Sequence, residues 1–397
     1  MKTPSLMFLV ALTAAHAQGP LPPTGAPAPT MKSLQQLWNE LQATKALQQK
    51  SSATALHYAT GGSLPWSLTT VVSAGEVGDH TSLAFGPDGH PAISYYGSSL
   101  DLEFARFNGS TWTLTTLDST GNVGQYNSLA FGPDGQPAIS YFDNTNSKLK
   151  FARFNGSTWT LTTVDSANSV GSHTSLAFGP DGQPAISYRD GPSGDLKFAR
   201  FSGSIWTTPS TVDSTGDVGS YTSLAFGPDG QPAISYYDFT NYNLKFARFN
   251  GSTWTPTTVD SSANDVGLYT SLAFGPNGQP AISYYDNTNF DLKFARFNGI
   301  TWTSSTVDNS DVGQYTSLAF GPDGQPAISY YDVTNRDLKF ARFNGSTWTL
   351  TALDSTGNVG QYTTLAFGPD GQPAISYHDV TNNDLKLARM GVFTPAP

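Results

Sequence analysis

The chain has 397 residues, 38% hydrophobic and only 13% charged, and its 39 glycines and 26 prolines suit a turn-rich all-β protein better than a helical one. A net charge of −10, with no run of Lys or Arg, excludes nucleic acid and anionic membrane surfaces as expected partners. The absence of cysteine excludes a disulfide framework, a thiolate metal site and a lipid-modified cysteine.

At the N-terminus Lys2 precedes an apolar run over 6–12, and Ala15-His16-Ala17 supplies small residues at the −3 and −1 positions of an export signal. Residues 1–17 are therefore expected to be a signal peptide cleaved after Ala17, which predicts a secreted or periplasmic protein. The run is too short to cross a bilayer, and no later segment approaches the roughly 20 apolar residues of a membrane-spanning helix. Residues 18–30 carry Pro20, Pro22, Pro23, Pro27 and Pro29 among small residues, the composition of an extended linker.

From Met31 the pattern changes. Leu34, Leu37, Trp38, Leu41 and Leu47 fall near helical spacing, with Thr30 as an N-cap, and predict an amphipathic helix within 31–58. Its apolar stripe, over 31–50, has two uses, docking on the protein's own surface or a short coiled coil that makes a homo-oligomer, and disorder of the segment is the third reading.

One period governs the rest of the chain, 64–391, before a tail over 392–397. The string Leu-Ala-Phe-Gly-Pro-Asp-Gly recurs with its Phe at Phe85, Phe131, Phe178, Phe226, Phe274, Phe320 and Phe367, every 46 to 48 residues. Each period holds four strand-like runs; in the fifth they are 271–274, 281–285, 292–297 and 301–307. Gly275-Pro276-Asn277-Gly278 reads as a tight turn, and Asn298-Gly299 as a type I′ hairpin turn.

Four antiparallel strands per period predict either a propeller blade or an open β-solenoid. The ends of the chain decide. The last period stops after its third strand, whereas Trp66 begins a fourth strand that stands alone before the first period. Joining the two gives seven complete blades and removes the open sheet edges of a solenoid. The fold class is therefore an all-β, seven-bladed propeller of four-stranded antiparallel blades, closed by an N-terminal strand.

Ala and Ser on the first two strands, as at Ala273, Ala281 and Ser283, suit the crowded axis; Trp, Leu and Phe on the outer strands suit packing between blades. An arginine repeats at Arg106, Arg153, Arg200, Arg248, Arg296, Arg342 and Arg389, and is expected to pair with the Asp that ends a fourth strand, such as Asp260 or Asp308.

The variable loops share one face, so ligand-binding candidates are sought there. An aromatic precedes each first strand, at His80, Tyr126, His173, Tyr221, Tyr269, Tyr315 and Tyr362, and these are expected to ring the channel mouth. Tyr237, Tyr285 and Tyr331 end second strands beside them, among Tyr96, Phe142, Arg189 and His378. Aromatic faces next to carboxylates and amides suit a sugar; the alternative is that the tyrosines fill the space between blades. Asp332-x-Thr334-Asn335-x-Asp337 departs from the pattern of a calcium loop, so calcium is the lesser reading of these turns and no cofactor is expected. His80 and His378, neighbours after closure, lack a third metal ligand. Catalysis would have to rest on residues that break the repeat, His80, His173, Arg189, Arg336, His378, Glu76 and Glu103, which are spread over several blades.

The Pro-Asp-Gly, Ile-Ser-Tyr-Tyr-Asp and Asn-Gly-Ser-Thr-Trp motifs over 64–391 resemble those of secreted bacterial repeat propellers. The segment from Ala152 to Trp159 is similar to the Asp-box of sialidase-like propellers in its Gly-x-Thr-Trp end, but has Ala152 and Phe154 where that box has Ser and Asp. The arginine, Tyr/Glu and Asp set of those enzymes finds no counterpart here, and multivalent propeller lectins are the nearer analogy. The expected function is a secreted, non-enzymatic binding module for a glycan or another cell-surface ligand. A protein-interaction scaffold oligomerised by the helix is the alternative, and an extracellular glycan hydrolase or lyase is the third reading.

Overall fold

A computed structural model describes residues 64–391 apart from 74 and 168. The expected signal peptide, linker, helix and tail lie outside the described residues.

The described residues form twenty-eight strands in seven four-stranded sheets, each antiparallel throughout. In blade 5 the strands are Val266–Phe274, Pro280–Asp286, Asp291–Phe297 and Trp302–Asp308. Six blades use four consecutive strands; blade 7 combines Val359–Phe367, Pro373–Asp379 and Asp384–Met390 with the N-terminal strand Trp66–Val72. That strand runs from Trp66 opposite Met390 to Val72 opposite Leu385, so the closure expected from the two incomplete ends is the observed one.

Small residues let the blades converge. Ala281, Ile282 and Ser283 of the second strand are fully buried, and the Thr270 hydroxyl donates to Ser235 of the preceding blade at 2.6 Å. Equivalent contacts join Thr316 to Ser283, Thr363 to Ser329 and Thr81 to Ser376, which carries the belt across the closure. Further out, a third-strand Phe meets the Trp of the next blade edge-on: Phe246 with Trp302, Phe294 with Trp348 and Phe340 with Trp66 have ring centroids 5.1–5.3 Å apart.

Alternation along the third strand sends Lys293 and Arg296, three residues apart, to opposite faces of the blade. Lys293 points back and pairs with Asp260 of blade 4 at 2.6 Å, where Tyr284 also donates its hydroxyl. The arginines face forward, and this corrects the expected pairing. Arg106, Arg153, Arg200 and Arg342 bind the turn aspartates of their own blades, Asp88, Asp134, Asp181 and Asp323, at 2.5–2.7 Å. They also lie over the Phe that ends the next blade's first strand.

The Asn-Gly hairpins also differ from expectation. A type I′ turn needs positive φ at both central residues, but only the glycine has it, as at Gly299 with φ +95°. Asn298 instead uses its Oδ1 to accept the backbone N–H groups of Ile300 and Thr301 within a four-residue loop. Asn155 does the same in the Asp-box-like segment.

Candidate functional sites: the channel mouth and the inter-blade grooves

The seven aromatics meet at the axis. Opposite Tyr285 and Ser283 on the second strand stand Leu268 and Ser271 on the first, so Tyr269 and Thr270 together oppose the single residue Tyr284. This bulge re-aims the Tyr269 side chain inward. Tyr269 takes a left-handed φ of +53°, and the other six ring residues lie between +51° and +53°. A non-glycine residue there costs of order 1 kcal/mol and persists only where its surroundings hold it.

Neighbouring ring centroids, from His80 through Tyr126, His173, Tyr221, Tyr269, Tyr315 and Tyr362 back to His80, are 4.5–4.7 Å apart. Interplanar angles of 44–59° match the turn of about 51° between successive blades of a seven-fold propeller. The ring planes therefore stand parallel to the axis. The hydroxyls of Tyr221, Tyr269, Tyr315 and Tyr362 interact in sequence along one arc. On the other arc burial lowers His80 to about 4 against the pull of Asp79, and lowers His173 to about 3, helped by the Arg189 charge. Both are neutral at pH 7. The ring and the adjoining Thr/Asn layer line an open depression of about 190 Å³.

The second tier ties six of the seven blades to the next, Phe142 of blade 2 having no polar group to do so. Tyr237 and Tyr285 donate hydroxyls to Asp265 and Asp311 at 2.7 and 3.1 Å, and Tyr331 donates to Asn358 at 2.7 Å. Tyr96 reaches Asn122, Arg189 pairs with Asp217 at 2.6 Å, and His378 Nδ1 lies 2.9 Å from Asp79. Of the residues that break the repeat, His80 and His173 line the mouth with Tyr126 between them and Arg189 lies near enough to act on His173, whereas Glu103 accepts from Thr116 and Arg336 is exposed on a loop. In the Asp/Asn loops Asp286 and Asp332 accept the backbone and side-chain N–H groups of Asn289 and Asn335. Among the described residues no three His, Asp or Glu side chains gather as metal ligands.

A second kind of site escaped the sequence reading, which took the outer aromatics as packing alone. Grooves of about 550–720 Å³ run between successive blades on the wall. The groove between blades 4 and 5 has Trp302, Phe274 and Phe297 on one side and the exposed Thr255 and Thr257 on the other. Arg248 and Asp229 sit at its end. Ile300, 85% exposed at a hairpin tip, extends this groove, and Ile205, 66% exposed, extends the one between blades 2 and 3. The signal available in the sequence was alternation: the residues first and third after a Trp, such as Thr255 and Thr257 after Trp254, face away from their own indole and towards Trp302 of the next blade.

No family model matches the chain, and no curated protein matches it. Solved structures match it as folds. The β-propeller domain of Cps50 (Swd1) from Myceliophteria thermophila is 9% identical over 82% of this chain and 99% of that one, with a TM-score of 0.56. YCF48 bound to D1 peptide is 17% identical over 83% and 98%, with a TM-score of 0.54. A mutant of AofleA from Arthrobotrys oligospora is 15% identical over 73% and 90%, with a TM-score of 0.51. At these identities the likeness is one of fold, and the fold it supports is the propeller.

Proposed function

We propose that the protein is an exported, non-enzymatic, multivalent glycan-binding module that takes sugar residues in the grooves between its blades. The carrying observation is a difference in size. Ligand pockets run from about 300 to 1,000 Å³; the grooves fall inside that range and the channel mouth, at about 190 Å³, below it. In this reading the aromatic ring closes the axis. The grooves combine what a sugar needs: an indole and phenyl wall for its C–H faces, and threonine hydroxyls, a guanidinium and a carboxylate for its hydroxyls. Repetition around the ring turns weak single contacts into avidity on a polymer. Export is supported by Lys2, the apolar run and Ala15-His16-Ala17.

The test is a glycan and polysaccharide array probed with the full chain and with two multiple variants. Thr162→Lys/Ser210→Lys/Thr257→Lys fills three grooves from exposed positions and is expected to weaken binding at least tenfold. Tyr126→Phe/Tyr269→Phe alters the mouth and is expected to leave binding unchanged. Loss in the second variant with retention in the first would move the site to the mouth; a blank array from folded protein would overturn the glycan reading and favour a protein ligand.

A further inference from the structure

One of the seven wall arginines lacks its carboxylate. Six sit in the same trap, an ion pair with the turn aspartate of their own blade and a stack on the next blade's Phe, as in Arg342 with Asp323 and Phe367. In blade 5 the turn reads Gly275-Pro276-Asn277-Gly278. Asn277 still supports the turn, because its Oδ1 accepts the Gln279 N–H at 3.2 Å. It brings no charge, however, and Arg296 makes no ion pair among the described residues and does not lie over Phe320. No Arg296 nitrogen is both buried and unsatisfied, so the half-buried guanidinium opens to solvent.

The surroundings of Arg296 repeat those of the other grooves. Phe320 ends the first strand of blade 6 against Gly275, Trp348 packs on Phe294 at 5.3 Å and on Phe343 at 5.2 Å, and Thr303 flanks the arginine on the fourth strand. The wall between blades 5 and 6 therefore repeats the aromatic lining of the described grooves and adds an arginine with no carboxylate partner. A guanidinium of fixed planar geometry selects carboxylate, which it binds through two parallel hydrogen bonds.

We propose that the groove between blades 5 and 6 is a site for an acidic sugar, whose uronate carboxylate takes the place left by the missing aspartate and pairs with Arg296 while its ring lies on the Trp348 side. This inference rests on the groove reading of the wall and adds a charge preference confined to one groove.

The repeat itself supplies the decisive variant: Asn277→Asp restores the side chain present in the other six turns and fills the site from within, in a turn already compatible with it. Trigalacturonate and its methyl ester, the same saccharide without its charge, are titrated calorimetrically into the full chain. Wild type is expected to bind the acid at one site per chain, at least tenfold more tightly than the ester, and more weakly as salt rises. Asn277→Asp and Arg296→Gln should each abolish that preference, while Asn277→Asp keeps an unchanged or higher Tm. Equal binding of acid by wild type and Asn277→Asp, equal affinity for acid and ester, or seven equivalent sites would each overturn it. Neutral glycans bound on the array without any acid preference sink this inference alone; a blank array for neutral and acidic saccharides alike sinks the groove reading with it.

Discussion

Lys293 of blade 5 reaches back to Asp260 at the end of blade 4 and donates to its Oδ2 at 2.6 Å, with the two side chains 10% and 3% exposed. The Tyr284 hydroxyl donates to the same oxygen, and Lys150 with Asp118, Lys245 with Asp213, Lys339 with Asp308 and Lys386 with Asp354 repeat the arrangement. Between blades 2 and 3 only the tyrosine takes part, because Lys197 turns to Thr211.

Breaking such a joint from one side strands a buried charge. Asp260→Asn is expected to cost about 3 kcal/mol. The pair Asp260→Leu/Lys293→Met should recover at least half of that, because an apolar pair of similar volume often matches a buried ion pair. Urea unfolding of the three variants checks this. A cost for the double variant equal to that of the single would show that the Tyr284 hydrogen bond carries the joint.

Acid should unfold the ring in two stages. A histidine held neutral by burial stabilises the fold fully above its ordinary 6.5; below that the unfolded chain binds the proton first, so stability falls towards about 4 for His80 and about 3 for His173. Burial would raise Asp260, but hydrogen bonds from Lys293, Ser262 and Tyr284 outweigh it and hold the group at about 2. Its contribution, about 2 kcal/mol, is therefore present above the ordinary 3.8 and lost as pH falls from there towards 2. Asp291 and Asp337, raised by burial, work in the opposite direction. Replacing His80 and His173 by Tyr extends the tyrosine ring and should flatten the dependence of Tm on pH between 6.5 and 4, leaving the drop below 4 in place. A wild-type slope that survives in the double variant would locate the upper stage elsewhere.

The joint between blades 7 and 1 has lost both ions together. Val72 lies opposite Leu385 as Asp118 lies opposite Leu102, and Glu103 stands where blade 2 has Lys150. Val72 packs in the same cluster as Tyr95. Val72→Asp alone should cost about 3 kcal/mol by burying an unpaired carboxylate. Adding Glu103→Lys should return at least about 2 kcal/mol through the new pair. A double-mutant cycle by thermal unfolding measures the coupling, and a coupling near zero would mean that the two positions do not meet across the joint.

Gly267, with φ +107°, lies against the backbone of the preceding blade: a Cβ there would stand 2.7 Å from Leu244 Cα. Gly267→Ala must push two blades apart and is expected to destabilise by at least about 2 kcal/mol. Gly156 has φ +95° with nothing within 4 Å, so Gly156→Ala feels backbone strain alone and should cost less. Equal losses would assign the effect to φ and not to the blade contact.

The architecture was legible because it is carried by count and phase. Seven Phe-Gly-Pro motifs, seven Trp within 64–391, a lone fourth strand at the start and a missing one at the end fix the ring without any knowledge of contacts. The aromatic ring was legible in position and not in conformation, since the bulge that sets Tyr269 and Thr270 against Tyr284 leaves no residue type to mark it. Arg296 was given the partner that belongs to Lys293, although the odd spacing of the two already placed them on opposite faces. The grooves were missed because an indole was treated as having one duty. Trp302 packs against Phe246 of blade 4 and also walls a groove, and a residue count cannot divide one side chain between two surfaces.

The strand Trp66–Val72 is the first of the ring to leave the ribosome, and its partner Asp384–Met390 is the last. Every other blade can be assembled from one local stretch of chain, whereas blade 7 requires two stretches more than 300 residues apart, Ser67 with Arg389 among them. The closing step is thus a check on completeness. A product that stops before Asp384, or that a protease has shortened past Val72, keeps six sound blades and presents a bare strand edge. Only the intact chain hides that edge, so the latch that makes the ring also distinguishes finished molecules from fragments.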